Sequence, residues 1–297
     1  MSAREQHLAT RRAAGLFDFS FMGHYELSSV RGVQSRDLEH LEPGQIAYTL
    51  LLNDDGGVFN DATAWRLAGE RWWLFTGRRS DTERLHGISR NRSGEYAIAA
   101  LQGPASARIV ARLVGPELVR SLRYFRFATL GSMLVARLGY SGELGYELLV
   151  PRAESKRLWQ SLLDAGREDG LRECGFDAAN SLRIEAGYVL FDREIDGRAN
   201  PRELGLERLV SSRKSFGLSC KLVGLEIVER QPGADLPLAH VTSECDSPTL
   251  GKRIALAFAA PDARPEDFVR LGDGRFARVS PLPFYDAGKH LPRAAPL

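Results

Sequence analysis

The chain has 297 residues, 43% of them hydrophobic and 26% charged, a composition typical of an ordinary globular protein that is large enough for two or more domains. The net charge of +2, with arginines scattered along the chain, argues against a nucleic-acid-binding protein. No run of eighteen uncharged apolar residues occurs, and the first residues lack the apolar core of a secretory signal, so we expect neither a membrane span nor export.

Cysteine and histidine usage indicates a reducing compartment and no metal site. Cys174, Cys220 and Cys245 are far apart and form no CxxC motif, which argues against a disulfide framework or a zinc site. None of the six histidines has a partner at metal-ligand spacing. We therefore expect a cytoplasmic protein that binds no metal.

The first third of the chain is predicted to contain a short helix followed by a meander of antiparallel strands. A Gly56–Gly57 turn separates two of these strands, and the alternation across Trp72–Trp73 predicts that at least one of the two indoles is buried. The predicted elements are a helix over 6–17 and strands over 24–32, 47–54, 58–67 and 70–77.

The middle of the chain mixes strands with amphipathic helices. A strand ends at Gly103–Pro104, and the helix after it carries Ile109, Val110 and Leu113 on one face. Residues 132–151 predict two strands around a glycine-rich turn. Two further helices are predicted over 154–166 and 176–187, the second with Asp177 as its N-cap.

The pattern changes near residue 220, where helical periodicity disappears. Short strand-like segments alternate there with Asp, Gly and Pro turns, which predicts a small β-barrel or sandwich with no helix longer than a turn or two. We therefore divide the chain into a region of mixed α+β structure at 1–219 and a β-domain at 220–297.

The glycine-rich turn "GYSGELGYE" (139–147) has two interpretations. Its GxxGxxG spacing is followed by a strand, which excludes a dinucleotide fingerprint. It is either a hairpin that needs flexible backbone or a place where a flat ligand approaches the main chain between Tyr140 and Glu147. Asp61 and Arg183 also have two interpretations each. Either residue is a solvated polar group or a group that binds a ligand.

Seven segments together resemble the tetrahydrofolate-dependent aminomethyltransferase family, which includes the glycine-cleavage T-protein and the folate domains of dimethylglycine and sarcosine oxidases. They follow the family's order and cover nearly the whole chain. The segments are "GLFDFSFMG" (15–23), "YTLLLNDDGGVFND" (48–61), "ALQGP" (100–104), "RLGYSGELGYEL" (137–148), "SLRIEAGYVLFDREID" (181–196) with "NPRELGL" (200–206), "VTSECDSPTLGKRIALAFA" (241–259) and "LPFYD" (282–286).

This resemblance implies an α+β cloverleaf of three subdomains around a central folate pocket, with the β-barrel as the third. It implies that the carboxylate of Asp61 faces the reactive pterin nitrogens, while Asn60 stands where many members have a second aspartate. It further implies that the groups contacting tetrahydrofolate are Tyr140, Glu147, Arg183 and Phe191.

The family's chemistry implies transfer of an aminomethyl or methylene unit to tetrahydrofolate. The donor would be carried on a lipoyl protein or released as an iminium by a partner oxidase. Alternatives are a folate-dependent demethylase of small methylated compounds and a non-catalytic folate-binding protein. The chain is short for the family, Phe191 replaces a common tyrosine, and "KSFGLSCK" (214–221) departs from the common "DFIGKEAL".

Overall fold

The computed structural model describes residues 1–78, 85, 87–211, 215–229 and 236–297. Within these residues, no helix is long and apolar enough to cross a membrane. The described α-helices are α1 (Ala3–Arg12), α2 (Ser106–Val114), α3 (Pro116–Ser121), α4 (Ser155–Gly166) and α5 (Phe176–Glu185). The strands of the first half are β1 (Gly15–Asp18), β2 (Gly23–Leu27), β3 (Ile46–Leu52), β4 (Val58–Arg66), β5 (Trp72–Thr76), β6 (Arg90–Asn91) and β7 (Tyr96–Gln102). Those of the second half are β8 (Arg126–Leu130), β9 (Met133–Arg137), β10 (Gly145–Pro151), β11 (Arg172–Glu173), β12 (Lys221–Val228), β13 (Leu238–Ser247), β14 (Lys252–Ala259), β15 (Phe268–Leu271) and β16 (Phe276–Ser280).

The first sheet has six strands in the order β11-β1-β7-β10-β9-β8, and its central strands are antiparallel. Ile109 and Val110 of α2 and Leu158 and Leu162 of α4 are buried against it, as the amphipathic patterns predict. Leu148 of β10 belongs to the same core. This packing covers one side of the sheet with helices.

The second sheet contains the predicted meander, with strand order β3-β4-β5-β2-β6. Its strands interleave in sequence with those of the first sheet. Trp72 and Trp73 are both buried, in different clusters, because successive side chains of a strand point to opposite faces. The prediction that at least one of the two indoles is buried is therefore confirmed, and both are buried.

Three local predictions are wrong in detail. The helix predicted over 6–17 ends at Arg12, and Gly15–Asp18 forms β1 because its backbone pairs with β7 from Gln102 to Ala99. The strand predicted over 24–32 ends at Leu27. Gly175, and not Asp177, is the N-cap of α5, so Asp177 lies in the first turn of that helix.

The C-terminal strands close into a barrel in the order β12-β14-β13-β15-β16, which confirms the predicted β-structure. Its interior is filled mainly by alanine and valine, as a narrow barrel requires. The outward-facing Ile254 and Leu256 pack instead on Ile184 of α5. Among the described residues after 220, the helical structure is limited to a single turn at Leu291–Arg293, and residues 230–235 lie outside the described part. The division into domains at 219/220 stays a prediction.

A buried polar network joins α1, α5 and the barrel. The Arg11 Nη2 atom lies 2.8 Å from the carboxylate of Glu185, and His7 Nε2 lies 3.2 Å from it. The Ser247 hydroxyl donates to the same carboxylate, while Arg11 Nη1 also pairs with Glu143 at 2.8 Å. Burial alone would raise the pKa of Glu185, but the hydrogen bond with His7 and the charge of Arg11 outweigh it and lower the pKa to about 2.

Candidate active site

A cavity of about 570 Å³ lies between the two sheets, the segment 187–209 and the C-terminal tail. This volume falls in the range of sites that bind small molecules. Its walls are mainly aromatic, and the rings that line it belong to Phe19, Phe21, Phe75, Tyr124, Phe125, Phe176, Tyr188 and Phe191, with Tyr48 and Tyr140.

Asp61 lines this cavity from β4 and is held by a phenol on the neighbouring strand. In the β3–β4 register Asp61 lies opposite Leu50 and Thr63 opposite Tyr48, so Tyr48 is the diagonal neighbour of Asp61 on one face of the sheet. The Tyr48 hydroxyl donates to Asp61 Oδ2 at 2.8 Å. Burial, and then the charge of Asp61, raise the pKa of Tyr48 well above its ordinary value, so this phenol stays a donor at neutral pH.

The turn before Asp61 contains two further carboxylates, Asp54 and Asp55, which lie away from the cavity. Asp54 and Asp55 are exposed and do not line the cavity. Asp55 Oδ1 accepts a hydrogen bond from the Gly57 amide at 3.0 Å, and the Asn53 side chain donates to the Gly197 carbonyl at 3.0 Å. Asp55 therefore shapes the hairpin, while Asp61 faces the cavity.

Glu147 of β10 is a buried carboxylate in the wall of the cavity. Its side chain forms no hydrogen bond with the described residues, and burial raises its pKa to about 7. With no donor from the described residues, this carboxylate can be satisfied by a proton or by a donor that enters the cavity.

The glycine-rich turn is fixed by packing on Gln102. A Cβ atom at Gly139 would lie 1.9 Å from Gln102 Oε1, one at Gly145 would lie 2.4 Å from Gln102 Nε2, and Gly142 has a φ of +79°. The turn presents the Tyr140 ring to the cavity, where the Tyr140 hydroxyl donates to the Val189 carbonyl. The Tyr140 and Tyr188 rings are stacked, with centroids 5.8 Å apart. The hairpin and ligand-wall interpretations of this turn are therefore compatible.

Phe191 lines the cavity, whereas Arg183 does not. A Cβ atom at Gly77 would meet the Phe191 ring at 2.3 Å, so glycine lets this ring lie against β5's end. The Arg183 side chain is buried within the protein: Nη1 donates to Glu194 at 2.9 Å and to the Tyr188 carbonyl at 3.0 Å, and Nη2 donates to the barrel residue Ser243. Its position supports a role in holding the loop and gives no support to the expected direct contact with a ligand.

Comparison with known proteins places this architecture in a family. Residues 1–214 match the profile of the GCVT N-terminal domain. The chain belongs to the GCVT family. Among its relatives are the aminomethyltransferase of Symbiobacterium thermophilum, 34% identical over 96% of this chain and 89% of that protein, and that of Halothermothrix orenii, 32% identical over 87% and 83%.

A solved structure of the family confirms the predicted fold class. The crystal structure of glycine cleavage system aminomethyltransferase T from Bartonella henselae superposes with a TM-score of 0.82, at 25% identity, and covers 96% of this chain and 90% of that chain. The alignment with the Symbiobacterium relative extends over 336 positions, more than the 297 residues of this chain, so that GCVT relative has insertions by comparison.

Several groups of this cavity were not predicted from the sequence. Tyr48 lies inside the segment that carries the resemblance, thirteen residues before Asp61 on the other strand of a hairpin. That spacing could have predicted that the two side chains are neighbours. The basic groups of the cavity offered no such signal, because they come from segments far apart in the chain. They are Arg36, Arg208, Lys289 and Arg293.

Proposed function

We propose that the protein is a tetrahydrofolate-dependent transferase that moves an aminomethyl or methylene unit from a donor to tetrahydrofolate. The observation that carries the proposal is the pair of carboxylates in the aromatic cavity, Asp61 with its phenol donor and Glu147 without any donor among the described residues. Relatives that cover nearly the whole chain are aminomethyltransferases, which supports the same reaction class.

The chemistry of the cavity fits a reduced pterin. Such a ring is flat and carries N–H donors along one edge, and Glu147 offers a buried acceptor to which no described residue donates. The stacked rings of Tyr140 and Tyr188 give an aromatic wall beside it. When bound, tetrahydrofolate would supply the nucleophilic nitrogen that accepts the one-carbon unit.

Asp61 would orient the reacting nitrogen and offset the positive charge that develops there. A fixed carboxylate in an enclosed, largely apolar cavity acts more strongly on such charge than it would in water. The Tyr48 hydroxyl would hold this carboxylate in one rotamer, since it donates to Oδ2 from the adjacent strand. Arg183 would act as a positioning residue, because it fixes the Tyr188 carbonyl and Glu194 and with them the loop that carries Phe191.

The donor is the open part of the proposal. An aminomethyl group on a lipoyl carrier protein, or an iminium released by a partner oxidase, would suit the aminomethyltransferase relatives. A demethylase of small methylated compounds would use the same pocket and return methyl-folate. We expect this chemistry to take place in the cytoplasm, because three widely spaced cysteines are typical of a protein in a reducing compartment.

Calorimetric titration of the purified protein with tetrahydrofolate tests the binding step, and product analysis with candidate donors tests the transfer. We expect saturable binding with one site per chain, followed by formation of methylene-folate. Methyl-folate as the product would select the demethylase. Tight binding without turnover on any donor would favour a folate-binding protein, and the absence of binding would end the proposal.

A further inference from the structure

Three phenylalanine rings form one corner of the cavity. Phe19 and Phe21 lie between β1 and β2, and Phe176 is the first residue of α5. The Phe19 and Phe21 ring centroids are 5.9 Å apart at an interplanar angle of 69°, and those of Phe21 and Phe176 are 6.2 Å apart at 81°. Both contacts are edge to face, a favoured arrangement of aromatic pairs. We call these three residues the phenylalanine corner.

Two rings of the phenylalanine corner are only partly covered by the protein. Phe19 is 7% exposed, whereas Phe21 is 40% exposed and Phe176 is 49% exposed. All three line the cavity. Single exposed apolar side chains are ordinary on a protein surface, but neighbouring ones in the wall of a cavity indicate a binding surface. The uncovered faces of Phe21 and Phe176 therefore offer aromatic surface to a ligand.

The cationic side chains that line the cavity lie over other rings. Lys289 Nζ is 5.0 Å from the centre of the Tyr188 ring, and Arg293 Cζ is 5.7 Å from that of Tyr124. Among the described residues, no lysine or arginine lies over a ring of the phenylalanine corner. An aromatic face attracts a cation, and here the described part of the chain supplies none.

The phenylalanine corner lies at the same edge of the second sheet as Asp61. Thr76 of β5 pairs with Ala62 of β4 on one side and with Gly23 of β2 on the other. The neighbouring row of the sheet therefore has Asp61 on one side of the end of β5 and Met22 on the other. Adjacent strands are about 4.8 Å apart, so the main chain at Asp61 and at Met22 is separated by about 10 Å. Met22 directly follows the phenylalanine corner in the chain, so one small molecule can reach both.

We infer that Phe19, Phe21 and Phe176 form the donor subsite of the cavity, in which aromatic faces hold a substituted ammonium group within reach of Asp61. This inference rests on the proposed function, because a donor of an aminomethyl or methyl unit carries that carbon on a nitrogen that is cationic at neutral pH. A carrier-bound aminomethyl group and a free methylated amine present the same chemistry to the rings. Recognition of alkylated ammonium groups by aromatic faces needs no hydrogen bond to the nitrogen.

Leucine variants separate attraction to a cation from simple apolar contact. Phe21→Leu, Phe176→Leu and the double variant keep an apolar side chain but remove the aromatic face, while Phe176→Tyr keeps a face. Phe268→Leu is the matched control, because Phe268 is 36% exposed on the barrel strand β15 and does not line the cavity. Thermal unfolding of each variant would verify that it is folded.

NMR titrations with and without tetrahydrofolate would use four probes. Choline is compared with the neutral alcohol in which carbon replaces the choline nitrogen. Dimethylammonium represents a free methylated amine, and S-methylcysteamine is a stable thioether ammonium that represents a carrier-bound aminomethyl group. We expect each single leucine variant to weaken choline binding by about 2- to 5-fold and the double variant by about 5- to 30-fold. Binding of the neutral alcohol should not change, and Phe176→Tyr and Phe268→Leu should bind choline like the unmodified protein.

The two ammonium probes distinguish the sources of the donor. A loss of binding in the leucine variants for S-methylcysteamine alone assigns the subsite to a carrier-bound donor, and a loss for dimethylammonium alone assigns it to a free amine. A loss for both assigns it to substituted ammonium groups in general.

An equal loss for choline and the neutral alcohol would overturn the inference, because the phenylalanine corner would then be only an apolar wall. Unchanged choline binding in the double variant would also overturn it, as would the same loss in Phe268→Leu or in Phe176→Tyr. So would the failure of every ammonium probe to bind the unmodified protein. Absence of tetrahydrofolate binding would instead reject the proposed function, and the titrations without tetrahydrofolate would still decide whether the phenylalanine corner binds ammonium groups.

Discussion

At the scale of single residues, the pair Asp61 and Tyr48 shows how the strand after a common turn places one carboxylate in the cavity. Both residues lie on one face of adjacent strands, and their hydrogen bond of 2.8 Å joins a carboxylate to a phenol inside an aromatic cavity. The carboxylates of Asp54 and Asp55, a few residues earlier, remain exposed. Position on the strand, and not residue type, separates the proposed catalytic carboxylate from its neighbours.

Asp61→Asn should keep ligand binding and lose most of the transfer rate. Asparagine has nearly the same size, but the negative charge beside the reacting nitrogen is gone, and removing one preorganised group of this kind costs on the order of 10²–10³ in rate. The measurements are calorimetric affinity and single-turnover rate. Asp54→Asn is the matched control and should react normally. A fully active Asp61→Asn variant would leave Asp61 as a turn residue and favour the non-catalytic interpretation.

Tyr48→Phe should lower the rate through Asp61. Phenylalanine preserves the ring but removes the donor to Oδ2, so the carboxylate would sample other rotamers. We expect a decrease of roughly tenfold in rate with little change in affinity, the size of one lost hydrogen bond to a charged group. In the double variant with Asp61→Asn the two effects should not add. Full additivity would show that Tyr48 acts independently of Asp61.

Glu147→Gln should stabilise the ligand-free protein at alkaline pH while it weakens ligand binding. Burial raises the folded-state pKa of Glu147 from 4.5 to about 7, so the folded state binds the extra proton and stability falls as pH rises through that window. The shift corresponds to roughly 3 kcal/mol above pH 7.

Urea unfolding at pH 8 and pH 5 measures this effect. The stability gained by Glu147→Gln should be clear at pH 8 and small at pH 5. Glu117→Gln, at a side chain that is 87% exposed, serves as the control and should show neither change. A variant that is less stable than the unmodified protein at pH 8 would argue that an internal donor satisfies Glu147.

At the scale of elements, helix α1 is held by buried polar and charged contacts. His7 and Arg11 on successive turns of α1 both reach Glu185 at the end of α5, and Ser247 of β13 reaches the same carboxylate. One buried glutamate thus ties a helix of the first half to the barrel. Such a group is costly to bury, and removing a partner from it is therefore strongly destabilising.

Glu185→Gln should destabilise the protein at neutral pH. The folded-state pKa of Glu185 is lowered to about 2, so its contribution is complete above about pH 4.5 and is lost as pH falls from there toward 2. We expect a loss of roughly 3 kcal/mol at pH 7, measured by urea unfolding. The gap to the unmodified protein should narrow at pH 3. A gap that stays constant from pH 7 to pH 3 would assign the loss to packing.

At the scale of the whole molecule, the cavity belongs to no single element. Asp61 comes from the second sheet, Glu147 from the first, Tyr188 from the segment between α5 and the barrel, and Lys289 from the tail. A ligand that contacts all four would stabilise the folded chain as a unit, because its site is lost when any of these parts unfolds.

Tetrahydrofolate at one hundred times its dissociation constant should therefore raise the free energy of unfolding by about 2.7 kcal/mol. For a chain of this length the corresponding increase in Tm is roughly 4 °C. Differential scanning calorimetry with and without ligand measures the shift. The exposed-site variant Arg120→Gln should show the same increase, and Glu147→Gln a smaller one. No shift at saturation would contradict binding to the folded state.

Some of this protein is determined by local sequence. Loss of the 3.6-residue period after residue 220 predicts a β-barrel or sandwich, alternation predicts the β3–β4–β5 meander, and apolar spacing predicts α2 and α4. These are short-range patterns, and burial of one face is enough to decide them. The order of the motifs is likewise a property of the sequence, and it indicated the family and the candidate carboxylate Asp61.

Tertiary structure decided the rest. Residues 15–18 continue a helical pattern locally, but β7 offers backbone partners more than eighty residues away, and pairing with a sheet outweighs a weak helical preference. Arg183 occupies the position that the motif predicted, yet Glu194 and a barrel serine take its donors inside the protein. The basic groups that line the cavity, Arg36, Arg208, Lys289 and Arg293, come from three separate segments of the chain. No local pattern encodes their meeting, because which charges become neighbours depends on how the two sheets and the tail pack together.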